Sequence, residues 1–125
     1  MEQTKAFRII LADTNDDPDS AQQLELFALL NLGLVQSMVS GVLSARESIQ
    51  RFYCAENCLY VKKRLGNREA NDIMSRGVQL PDLFDALPTA EAQREFLHEL
   101  ETMRSLCLKL LEKVSFPGVT DRATA

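Results

Sequence analysis

No charged residue interrupts the chain between Leu26 and Leu43, and the surrounding run Leu24–Leu43, LELFALLNLGLVQSMVSGVL, is the only long one dominated by apolar side chains. A run like this has to be covered by protein or by lipid. Read as a helix, Leu26, Leu29, Leu30, Gly33, Leu34, Ser37, Met38 and Gly41 recur at three- and four-residue spacings and share one stripe. Leu24, Phe27, Leu32, Val35, Val39 and Val42 fall elsewhere around the circumference. The pattern predicts a helix that is apolar nearly all round and buried on most sides. Gly33, Ser37 and Gly41 form a smooth seam where another helix could approach closely, a dimerisation face in lipid and a packing contact in water.

A membrane span needs about 20 mostly apolar residues. The run just reaches that length, but Asn31, Gln36, Ser37 and Ser40 dilute it, and its upstream flank is acidic (Asp13, Asp16, Asp17, Asp19) rather than basic. A helix buried in protein is the favoured reading, with no membrane partner. The chain has 125 residues, which suits one domain with one core. Its expected layout is an arm and acidic loop over 1–20, a helical domain over 21–114 and a tail over 115–125. A net charge of −4 and the absence of Trp argue against a phosphate-binding or base-stacking surface. Three cysteines with no signal-peptide pattern at the N-terminus point to reduced thiols in a cytoplasm.

Taken in order, Phe7–Ala12 (FRIILA) reads as a short strand or extended arm that must pair with another segment or with a second copy of the chain. Asp13, Asn15 and Asp17 open like a calcium loop, but Pro18 stands where the turn needs glycine and Leu24 where the bidentate Glu belongs. The favoured reading is a loop that caps a first helix over Ala21–Ser40, with Asp19 or Ser20 as N-cap, the other acids favouring the helix's positive end, and Gly41 as the stop. Ser44 and Glu47 spell a capping box for a second helix over Ala45–Ala55 with Ile49, Phe52 and Tyr53 inward. A third over Glu56–Leu65 carries Leu59, Tyr60 and Val61 and stops at Gly66, and it could be one kinked helix with the second. Asn67 caps a fourth to Arg76, burying Ala70, Ile73 and Met74 and closed by Gly77, with a separate helical turn from Leu80 ended by Pro88. Ala90–Val114 forms the last helix, with a seam of Phe96, Leu100, Met103, Cys107, Leu110 and Val114 widened by Leu97, Leu108 and Leu111.

Catalytic and metal chemistry finds little support. Cys54 and Cys58 share a helix face, but Cys107 and His98 are poorly spaced to complete a zinc site. His98-Glu99 lacks the second histidine of a zincin, since Thr102 stands there. No phosphate loop, nucleophile elbow or triad is present, so the chain reads as a non-enzyme without cofactor or metal. Lys62, Lys63, Arg64, Arg68 and Arg76 make a basic patch around Gly66, but a helix-turn-helix would need apolar residues where Asp72 and Ser75 stand. Nucleic acid is therefore a disfavoured partner.

Leu32-Gly33-Leu34, Ser37, Gly41, Leu43-Ser44 and Glu47, followed by Gly77, Leu80, Asp82 and Leu83, resemble a family of small bacterial proteins of unknown function over about residues 24–111. That resemblance implies a bacterial, cytosolic, helical protein and carries no site residues. The fold expected is all-α, a single-domain bundle of about four to six helices round a central apolar helix. The function expected is protein–protein interaction, first as a homodimer, because broad apolar faces and the N-terminal arm want partners. A DNA-binding regulator using 57–77 is the alternative, and a partner-specific acidic binder such as a toxin-neutralising protein the third.

Overall fold

A computed structural model describes residues 7–14 and 20–115. Within them the chain is all-α: a 3-10 turn Leu11–Thr14, then α1 (Ser20–Val39), α2 (Ala45–Arg51), α3 (Ala55–Tyr60), a π-helical turn Val61–Leu65, α4 (Arg68–Ala86) and α5 (Thr89–Ser115). The two long helices α1 and α5 lie along one another, α4 packs on α5, and α2 packs against α4. Among the described residues, no helix is long and apolar enough to cross a membrane.

The core follows the seam of α5 closely. Phe96, Leu100, Met103, Cys107 and Leu110 are buried, and Val114 is partly so. Leu97 and Leu108 do not widen that seam; they lie about half exposed on the outer side of the helix. The first helix is rotated from the stripe its leucines suggest. Its buried face is Leu24, Phe27, Ala28, Asn31, Val35 and Met38, whereas Leu26 and Leu29 are 40% and 53% exposed. Leucines occupy both sides of α1, so their count does not choose a face. The choice falls to specific partners: Phe27 packs its ring 6.1 Å from that of Phe52, and Asn31 accepts a hydrogen bond of 2.6 Å from the Tyr53 hydroxyl.

Tyr53 also explains why the fourth helix does not stop at Gly77. A Cβ built on Gly77 would stand 2.6 to 2.7 Å from the Tyr53 ring, so the missing side chain is what lets α4 pass over it. The helix runs on through Pro81, whose ring normally crowds the carbonyl four residues back, here that of Gly77. The separate turn expected from Leu80 is thus the last part of α4. The stretch expected as a second and third helix divides at Phe52–Cys54, and the third changes to π geometry at Val61 before Gly66 ends it in a left-handed conformation at φ +51°. Leu59 on α3 is 53% exposed.

The N-terminal arm from Phe7 to Ile10 has no regular secondary structure and is not a strand. Backbone groups of Ile9 and Leu11 find partners within the same chain. Ile9 N–H donates to the Arg51 carbonyl at 2.8 Å, and Leu11 N–H donates to Asn57 Oδ1 at 2.9 Å. The Asn57 amide donates in turn to the Ile9 and Phe52 carbonyls at 2.6 and 2.8 Å. Arg8 pairs with Glu56, and the Arg51 guanidinium lies 4.6 Å above the Phe7 ring. The arm thus pairs with another segment of its own chain, at the end of α2 and on α3. The residues weighed as a calcium loop, and the caps expected from Asp19, lie outside the described residues or have side chains that are not described.

Candidate functional site

A surface concavity forms where α1 ends. Gly41 adopts φ +80°, a conformation open to glycine and strained for other residues, and the chain reverses there. Gly41 N–H donates to the Met38 carbonyl at 3.2 Å, and the N–H groups of Val42 and Leu43 both donate to the Ser37 carbonyl, at 2.9 and 3.2 Å. These bonds satisfy the last carbonyls of α1 and fix the turn. They also hold Val42 outward, 77% exposed and the most exposed of the large apolar residues described.

The next element starts at once. Glu47 N–H donates to Ser44 Oγ at 3.1 Å and Ser44 N–H donates to Glu47 Oε1 at 2.9 Å, the reciprocal capping box that the sequence spells. The Ser44 backbone N–H, followed by its hydroxyl, holds the Glu47 carboxyl below its ordinary range. Against this corner stand Pro81 and Phe84 of α4 and Gln93, Phe96 and Leu97 of α5, with the Phe84 and Phe96 rings edge to face at 5.2 Å. Between them lies a groove of about 550 Å³. Its floor and walls are apolar (Met38, Val39, Leu43, Pro81, Phe84, Phe96), and its polar lining is Ser44, Arg46, Glu47 and Gln93. Arg46 reaches Asp85 at 3.6 Å, an exposed and loose ion pair.

The seam proposed from the sequence is divided by this geometry. Gly33 and Ser37 lie on α1, and a Cβ on Gly33 would meet nothing within 4 Å, so none of the described helices approaches there. Gly41 stands beyond the helix end and lines the groove instead. The outer face of α1 is apolar at Leu26 and Leu29, then becomes polar at Gln36 and Ser40.

The basic patch is also divided. Lys62, Lys63 and Arg64 are exposed on the π turn and Arg68 at the start of α4, with the Arg64 guanidinium 5.7 Å from the centre of the Tyr60 ring. Arg76 is elsewhere in its interactions, donating to Asp72 at 3.0 Å and to Glu99 at 2.8 Å, and so ties α4 to α5. Asp82 and Glu95 add to those acids round a second cleft of about 490 Å³. A cation held by two carboxylates in an acidic cleft does not extend the basic surface of the π turn.

Cys107 lies in the core, and burial pushes its thiol up to about 12. Cys54 and Cys58 are half-buried at α3. Two buried polar residues, Asn31 and Asn57, were not expected in the core, while Tyr53 is inward as expected. Asn31, Tyr53 and Asn57 are all buried and each is hydrogen-bonded. For Asn31 a signal was present, because it falls in register with Leu24, Phe27, Val35 and Met38. Compared with family models, curated proteins and solved structures, the chain has no match.

Proposed function

We propose that this chain is a non-enzymatic helical protein that works by binding protein, in the first place a second copy of itself. The observation that supports this is the grouping of its exposed apolar side chains. Val39, Phe84 and Leu97 are 49%, 40% and 48% exposed and line the groove at the α1–α2 corner, Val42 on the turn between two of its lining residues is 77% exposed, and Leu26 and Leu29 form a smaller patch on α1. Scattered exposed apolar residues need no explanation, but a contiguous apolar concavity marks a contact surface. The arm contributes less to this reading, since Ile9 and Leu11 are hydrogen-bonded to Arg51 and Asn57 of the same chain. A bacterial origin and a cytoplasmic setting belong to the same proposal and rest on the sequence. Light scattering over micromolar concentrations is the test. A mass of twice 14.1 kDa is expected, and a strict monomer would remove the reading.

A further inference from the structure

We infer that the groove at the α1–α2 corner is the self-association surface, and that it receives Val42 of a second copy; this rests on the proposal of self-association above. Three observations choose the occupant. First, knob and hole adjoin one another. Val42 stands 77% exposed on the turn between Gly41 and Leu43, both of which line the groove. A two-fold axis passing beside the groove therefore brings each Val42 to the mouth of the other copy's groove, as an isologous contact requires. The knob is also held rigidly, by the hydrogen bonds from Val42 and Leu43 N–H to the Ser37 carbonyl, so little conformational freedom is lost on docking.

Second, the rim is complementary to itself. Arg46 and Asp85 are 71% and 67% exposed and only loosely paired at 3.6 Å. About a two-fold axis Arg46 of each copy faces Asp85 of the other, replacing one slack pair per chain by pairs across the interface. A strongly acidic or strongly basic partner would leave one of these charges facing its like. Third, the competing surface is poorer. The outer face of α1 offers Leu26 and Leu29 and gives way to Gln36 and Ser40, whereas Val39, Phe84 and Leu97 line a groove at the corner and Val42 stands beside it.

The test is sedimentation equilibrium of the full chain and of surface variants whose folding is checked by thermal melting. Val42→Glu places a charge in the groove and is expected to weaken dimerisation by at least about tenfold, or roughly 1.4 kcal/mol. Leu29→Glu is expected to leave it within about twofold. Arg46→Glu and Asp85→Arg are each expected to dimerise poorly alone and to associate when mixed, because only the mixed pair restores both cross-interface contacts. Dimerisation unaffected by Val42→Glu but lost in Leu29→Glu overturns the assignment of the corner while leaving self-association intact. A wild-type chain that is monomeric throughout overturns both.

Discussion

Replacing Asn57 by alanine removes three hydrogen bonds at once. Its side chain accepts from Leu11 N–H at 2.9 Å and donates to the Ile9 and Phe52 carbonyls at 2.6 and 2.8 Å. At about 0.5–1.5 kcal/mol net for each bond, the simple sum is roughly 1.5–4.5 kcal/mol. The upper end is out of reach because the arm can peel away and return Leu11 N–H and the Ile9 carbonyl to water. What then remains is the lost burial of Leu11, which is 4% exposed, and an unpartnered Phe52 carbonyl in the core. The expected loss is about 2–3 kcal/mol, or a drop in Tm of about 10 °C for a domain of this size. Hydrogen exchange distinguishes this account from general destabilisation: the Leu11 amide should lose protection by more than the core amides of α5 do. Asn57→Asp keeps the acceptor for Leu11 but turns a carboxylate toward two carbonyls, so it should be no better than alanine. A Leu11 amide as protected in Asn57→Ala as in the wild type, with a stability loss under about 0.5 kcal/mol, would refute the idea that this side chain clasps the arm.

Gly77→Ala should destabilise the fold by about 1–2 kcal/mol in urea melts, the overpacking cost against the Tyr53 ring outweighing the roughly 1 kcal/mol that alanine gains in helix propensity. A stabilised variant would show that the ring has room to move. Lys113 donates to Glu69 at 2.7 Å and holds that carboxyl below its ordinary range. Its contribution is therefore present above the unfolded carboxylate pKa and is lost as pH falls through the lowered native value, so the stability gap between wild type and Glu69→Gln should narrow on acidification. Thiol labelling of the native protein at about pH 8 should modify the half-buried Cys54 and Cys58 before Cys107, with Cys58 slowed because burial raises its thiol, and Cys107 only on unfolding, because the buried thiol at about 12 offers almost no thiolate.

Local signals in the sequence carried much of the architecture. The capping box at Ser44 and Glu47 and the α5 seam from Phe96 to Leu110 each depend on neighbours within a few turns, and both are present as read. Where a residue's role depends on something distant, local rules misled. Gly77 looks like a stop, and only the Tyr53 ring, 24 residues earlier, makes it an interior residue of α4. Asn57 looks like ordinary helix polarity, yet its partners Ile9 and Leu11 lie 48 and 46 residues away. The apolar run suggested a helix covered on most sides, but an excess of leucine conceals which side packs, and Asn31 settles it through Tyr53. The groove was legible only in part. Gly41, Ser44 and Glu47 were noticed for their local roles, while Phe84 and Leu97 reach the same place from α4 and α5.

One measurement bears most directly on the claim that this fold pairs with itself at its α1–α2 corner: hydrogen exchange of the wild-type chain at low and at high concentration. The account predicts that protection of backbone amides in segments 38–47 and 82–97 rises with concentration, while 22–33 exchanges at the same rate in both. Rising protection confined to 22–33, or no dependence on concentration anywhere, would contradict it.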